Sequence, residues 1–311
     1  MISLRSVEDI PDKAVREILA QLDPRGNSAV LPIEKKRQVQ ANGIARASKP
    51  AEVDSISDEW VPTGSGEKLR VRVYRPKETT ENLPVVVYVH GGGFFAGNLD
   101  THDPVCRALA NLSPAVVVSV DYRLAPEFTW PTALDDTLRA LEWVARTLRP
   151  PRLIVAGDSA GGNLTACTTL KAAVNGVRID AQVLIYPMLD GLMSLPAYVQ
   201  NALVPPFTLL DCVYVWQLFL PRDADRRSPE ISPLYAQPDK LQNQPPTLML
   251  TAEYDILRDD GLAYADALRL AGVGVEQEHY RSMPHGFLLW GATVSAAHDA
   301  LARIADFVRS A

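Results

Sequence analysis

From Val85 onward, short apolar runs alternate with segments that carry apolar residues at three- and four-residue spacing. The runs are residues 85–89, 115–120, 152–156, 182–186, 247–251 and 275–280. Continuous runs rich in β-branched residues suit strands buried on both faces of a parallel sheet. The intervening segments 131–148 and 258–271 have the period of helices that cover such a sheet. This βαβα rhythm predicts an α/β fold: a mostly parallel central sheet flanked by helices.

Two earlier segments, 58–62 and 70–74, alternate polar and apolar residues and predict an antiparallel hairpin at the sheet edge. Two stretches break the rhythm. Residues 1–50 read as helices, for example 15–22, and residues 190–225 interrupt the sheet. Long insertions in compact folds are usually lids or binding elements.

The 311 residues can bury a large core without disulfides or a structural metal. With 31 Lys+Arg against 37 Asp+Glu the net charge is −6, which argues against nucleic acid as a partner. The only dense basic run, Lys35-Lys36-Arg37, reads as a solvated helix face. Cys106, Cys167 and Cys212 are far apart and predict buried free thiols, without metal-ligand spacing. The first residues hold no apolar signal core, and no stretch is long enough to span a membrane. A cytoplasmic protein with no membrane partner is expected.

The strongest chemical signal is Gly157-Asp158-Ser159-Ala160-Gly161-Gly162-Asn163, directly after the strand 152–156. G-x-S-x-G on a strand–turn–helix junction lifts the serine hydroxyl above the sheet. Gly157 and Gly161 leave room where the turn closes and the helix meets the strand. The second signal, His90-Gly91-Gly92-Gly93-Phe94, ends the strand 85–89. It is either a flexible turn or a loop whose N–H groups converge on a developing oxyanion.

A nucleophilic serine needs a base. Of the five histidines, only His285 sits in a loop beyond the last strand with glycine beside it. Asp255, just past the strand 247–251, is the first choice to orient that imidazole, with Glu253 as runner-up. Asp259 and Asp260 read as first-turn acids favoured by the helix dipole.

Together these motifs resemble the hormone-sensitive-lipase-like family of α/β-hydrolases, in particular its bacterial esterases. The resemblance runs from about Trp60 to the C-terminus. It also rests on Tyr122-Arg123-Leu124-Ala125-Pro126-Glu127, Ser232-Pro233-Leu234, Tyr254-Asp255-Ile256-Leu257-Arg258-Asp259 and His285-Gly286-Phe287. It implies the α/β-hydrolase fold, a catalytic triad of Ser159, Asp255 and His285, and an oxyanion hole from the N–H groups of Gly92, Gly93 and Ala160. It also implies that residues 1–50 and 190–225 form a helical cap over a catalytic domain of residues 51–311. Where the family's acid loop has proline after the aspartate, this chain has Ile256.

His90, Gly91, Asp158, Gly157 and Gly161 are expected to support the site, with Asp158 hydrogen-bonding its loops together. The 122–127 segment reads as an ion-paired turn beneath those loops. Phe94, Leu203, Phe207 and Trp216 are the candidate acyl pocket, although core packing explains the last three equally well. The expected activity is hydrolysis of short- to medium-chain carboxylic esters, with no cofactor or metal and a homodimer as one assembly. An amide hydrolase and a small-molecule binding protein on the same scaffold are the alternatives.

Overall fold

The computed structural model describes residues 3–22, 31–63, 66–77, 82–174 and 176–311. Eight strands form one sheet: β1 (Ser55–Pro62), β2 (Lys68–Arg75), β3 (Val85–Val89), β4 (Val116–Val120), β5 (Leu153–Asp158), β6 (Ala181–Ile185), β7 (Thr247–Tyr254) and β8 (Val275–Pro284). Their spatial order is β1-β2-β4-β3-β5-β6-β7-β8. β1 and β2 are the antiparallel edge hairpin, β2 pairs antiparallel with β4, and all pairings from β4 to β8 are parallel.

Every residue of β3 and β4 is buried, as suits two valine-rich strands in the middle of a sheet. Alternate side chains of β3 serve opposite faces. Val85, Val87 and Val89 pack with Leu134, Leu141 and Leu164 on one side. Val86 and Tyr88 pack with Val105, Leu109 and Ile304 on the other. The first face is covered by α4 (Thr132–Thr147) and α5 (Ala160–Val174), the second by α3 (Asp103–Leu112) and α10 (Ser295–Ser310).

The chain leaves β3 for β4 on one side and then returns to β5 on the other. The carboxyl ends of β3 and β5 therefore flank a topological switch point, where open α/β sheets form their sites. The remaining helices are α1 (Lys13–Gln21), α2 (Ile33–Asn42), α6 (Ala197–Gln200), α7 (Leu209–Phe219), α8 (Pro238–Leu241) and α9 (Arg258–Leu270). α6 and α7 fall between β6 and β7, in the stretch that broke the sequence rhythm. The two irregular stretches meet each other, since the Arg5 N–H donates to the Gln200 carbonyl (2.8 Å).

Two expectations need correction. Lys36 is not on a solvated face: its side chain is fully buried, with Nζ 3.2 Å from the centre of the Tyr214 ring. Arg37 caps the Phe95 and Ala125 carbonyls and pairs with Glu127. α2 is thus docked by its basic residues, because its apolar stripe is weak and the long stems of Lys and Arg supply the packing. Asp260 is more than a helix-dipole acid. Fully buried, it accepts the N–H groups of Leu189 and Asp190 and the Tyr198 hydroxyl. Burial pushes its carboxyl well up from the usual aspartate range.

Candidate active site

Ser159 follows β5 directly and adopts φ 56°, the left-handed conformation that is costly for a residue with a side chain. Hydrogen bonds over-determine it. Its N–H donates to the Ile185 carbonyl (2.9 Å), and its own carbonyl accepts from Asn163 (3.1 Å) and Met188 (3.2 Å). At Gly161 a Cβ would collide with the carbonyls of Val89 and His90, so glycine lets α5 start against the end of β3.

Adjacent strands supply the other two groups. Asp255 follows β7 and His285 follows β8, both in strand-end turns. The Ser159 hydroxyl donates to His285 Nε2 at 2.9 Å, and His285 Nδ1 donates to Asp255 Oδ2 at 2.8 Å. Asp255 is fully buried, and its Oδ1 accepts the Leu257 N–H (2.8 Å). Asn201 anchors the same turn by donating to the Asp255 carbonyl (2.8 Å). Phe207 and Tyr186 flank the imidazole, each with its ring centre 5.0 Å away. Glu253 is elsewhere engaged, by Arg5, Arg258 and His279.

The glycine loop closes the other side. Asp158 Oδ1 accepts the Gly91 N–H (2.9 Å) and the Tyr88 hydroxyl (2.9 Å). The neighbouring Gly92 and Gly93 line the same cavity as Ser159 and His285. Among the described residues, the N–H groups of Gly92, Gly93 and Ala160 have no hydrogen-bond partner. His90 stacks on Tyr122 (4.3 Å) and bonds the Gly91 carbonyl through Nδ1 (2.8 Å). Burial, aided by the neighbouring His102, pushes the His90 imidazole down to about 3, so it stays neutral. Beneath the loop the Tyr122 hydroxyl holds the His90 carbonyl, and Arg123 pairs with buried Asp136.

The cavity above Ser159 has a volume of about 190 Å³. Of the four candidate pocket residues, Phe207 lies on its wall. Leu203 is 67% exposed and is not part of the wall. Phe94 and Trp216 lie behind the wall in the core, where the Phe94 ring stacks on Phe219 at 3.8 Å. Their sequence neighbours Phe95 and Val215 line the cavity instead, together with Tyr214 and Asp211. Both irregular stretches contribute, since Val39, Gln40 and Arg46 also line it. Among the described residues no group of three His, Cys, Asp or Glu side chains is arranged to hold a metal. Among them, too, no helix is long and apolar enough to cross a membrane.

A serine, histidine and aspartate in hydrogen-bonded series at the strand ends of this sheet define the α/β hydrolases. A family model of the alpha/beta hydrolase fold matches residues 86–289. The carboxylesterase NlhH of Mycobacterium tuberculosis is 43% identical over 243 residues, covering 75% of each chain. The ethyl acetate hydrolase of Pseudomonas putida is 36% identical over 306 residues, covering 92% of this chain and 95% of its own. The structure of a hyperthermophilic esterase from the archaeon Pyrobaculum calidifontis superposes with a TM-score of 0.88 at 37% identity, over 96% of this chain and 98% of that one. The chain belongs to the α/β-hydrolase fold family and, within it, to the hormone-sensitive-lipase-like carboxylesterases.

Proposed function

We propose that this enzyme hydrolyses short- to medium-chain carboxylic esters through an acyl-enzyme on Ser159. The observation that carries the reading is the continuous relay from Ser159 Oγ through His285 to buried Asp255, opening into one cavity. In this mechanism Oγ attacks the ester carbonyl while Nε2 takes its proton, and Asp255 holds the imidazole with Nδ1 protonated. The N–H groups of Gly92, Gly93 and Ala160, free of other partners, receive the oxyanion. His285 then protonates the leaving alcohol, and water repeats the cycle to release the acid. The described part of residues 1–50 acts with residues 190–225 as the cap that closes the cavity.

The chain-length preference is supported by cavity size. At about 190 Å³ the space is smaller than the roughly 300–1,000 Å³ of pockets for drug-sized ligands. The relative named as an ethyl acetate hydrolase points the same way. The test is hydrolysis of p-nitrophenyl esters from acetate to palmitate by the wild type and by Ser159→Ala. Highest kcat/KM at eight carbons or fewer, with Ser159→Ala near background, supports the reading. An optimum at the longest chains overturns the substrate class, and residual turnover in Ser159→Ala overturns the nucleophile.

A further inference from the structure

One buried carboxylate joins the nucleophile's turn to the glycine loop. Asp158 precedes Ser159, and its Oδ1 holds the N–H of Gly91, the residue before Gly92 and Gly93. The Tyr88 hydroxyl supplies a second hydrogen bond to the same oxygen. A third group approaches it: His102 Nε2 lies 3.3 Å away, and its ring is also buried.

The protonation of His102 follows from its other nitrogen. Nδ1 lies 2.9 Å from Thr101 Oγ1. That hydroxyl also accepts the Asn98 N–H (2.9 Å) and lies 2.9 Å from the Asn98 carbonyl. A hydroxyl has one proton and two acceptor positions. If it donates to Asn98, Nδ1 carries a proton, and a bare Nε2 would turn its lone pair on the Asp158 carboxylate. Nε2 must then be protonated too. If Thr101 donates to Nδ1 instead, the ring's proton sits on Nε2. In both arrangements Nε2 carries a proton; 3.3 Å from Asp158 Oδ1 and without a hydrogen-bond partner among the described residues, it acts on the carboxylate as an electrostatic neighbour. Burial alone would push the Asp158 carboxyl up; His102, Tyr88 and Gly91 more than offset it and hold the group below its usual value.

We propose that His102 is a positioning residue for ester hydrolysis: its Nε2–H fixes the Asp158 carboxylate, which fixes the Gly91 amide and so the aim of the Gly92 and Gly93 N–H groups. The inference rests on the reading of those groups as oxyanion donors. Without Nε2–H the buried carboxylate loses one of its three polar neighbours and turns to compensate, carrying the Gly91 peptide with it. A shift of about 1 Å in a catalytic array costs on the order of 100-fold in rate. Neutral His90 cannot substitute, because its Nδ1 is committed to the Gly91 carbonyl.

Glutamine places its amide nitrogen near the position of Nε2, and asparagine places its own near Nδ1, so this pair of variants separates the Nε2 contact with Asp158 from the Nδ1 contact with Thr101. His102→Asn is expected to lower kcat about 10-fold or more with KM within about twofold. The Ki for a trifluoromethyl ketone, whose hemiketal oxygen mimics the oxyanion, should rise by the same factor. His102→Gln should stay within about threefold of the wild type on each measure. Equal effects of the two variants, or a change confined to KM or Tm with kcat and Ki intact, would overturn the proposal. If His102→Asn does not fold, Thr101→Val carries the test: kcat and Ki moving together support it, and an unchanged Ki overturns it. Ser159→Ala is the separate control. Retained activity there sinks the functional reading, whereas an inactive Ser159→Ala beside a normal His102→Asn sinks this inference alone.

Discussion

Lys36 and Tyr214 face each other across the two irregular stretches of the chain, ammonium to ring face at 3.2 Å. The ammonium has no hydrogen-bond partner among the described residues. Burial lowers its proton affinity, and the nearby Asp211 carboxylate partly restores it. Tyr214 and Asp211 both line the cavity, so this contact ties the wall on α7 to α2.

Removing the Lys36 side chain should therefore loosen that wall. Lys36→Ala loses both the buried stem and the cation–π contact and is expected to cost about 2–3 kcal/mol in urea unfolding. Lys36→Met keeps the stem and removes the cost of burying the charge, so it should lie within about 1 kcal/mol of the wild type. A methionine variant as unstable as the alanine variant would contradict this.

Asp255→Asn keeps the size of the side chain but allows the wrong His285 tautomer, in which Nδ1 is bare. The expected loss is roughly 1,000- to 10,000-fold in kcat with little change in KM. Steady-state kinetics on p-nitrophenyl butyrate would check it, and a loss below tenfold would remove Asp255 from the relay.

The neutral His90 gives stability a defined pH dependence. Its imidazole titrates at about 3 in the folded protein, against an ordinary value of 6.5. Between those limits the unfolded chain binds a proton that the folded chain does not. Stability contributed by this site therefore falls as pH drops from 6.5 toward 3, by up to about 1.4 kcal/mol per unit. His90→Asn retains a donor for the Gly91 carbonyl and does not titrate. Urea unfolding at pH 7.5 and pH 5 should show the wild type losing more stability than the variant, and parallel losses would refute the assignment.

Two glycine substitutions separate a loop that must keep its shape from a turn that need not. Gly92 has φ 124°, and a Cβ there would collide with the Ala96 carbonyl. Gly92→Ala should cost at least about 100-fold in kcat, the scale of losing an oxyanion donor. Gly272, with φ 86° in open space after α9, should tolerate alanine at about 1–2 kcal/mol of stability with kcat unchanged. Comparable kcat losses in the two variants would refute the distinction.

Much of the framework is local and could be read from residue order. The strand 247–251 extends to Tyr254 in the structure, and 275–280 extends to Pro284, yet Asp255 and His285 still fall at the turns expected for them. Pocket walls were harder to read. Of the four expected lining residues Phe207 lines the cavity, whereas in place of Phe94 and Trp216 their neighbours Phe95 and Val215 do. On α7 a step of one residue rotates the side chain by about 100°, which is enough to move it from core to wall. The roles of Asn201, His102 and Thr101 left no signal in spacing, because each depends on a partner set by the fold.

Residue order alone specifies the alternation of strands and helices, the turn that presents Ser159, the glycine loop and the succession serine, aspartate, histidine. These are matters of short-range sterics and periodicity, which neighbouring residues decide among themselves. Long-range packing is what buries Lys36 against Tyr214, lets Asp260 hold the 189–198 segment, and brings His102 within 3.3 Å of Asp158. Those polar groups are out of water, and a buried charge is tolerable only beside partners that long-range packing brings to it.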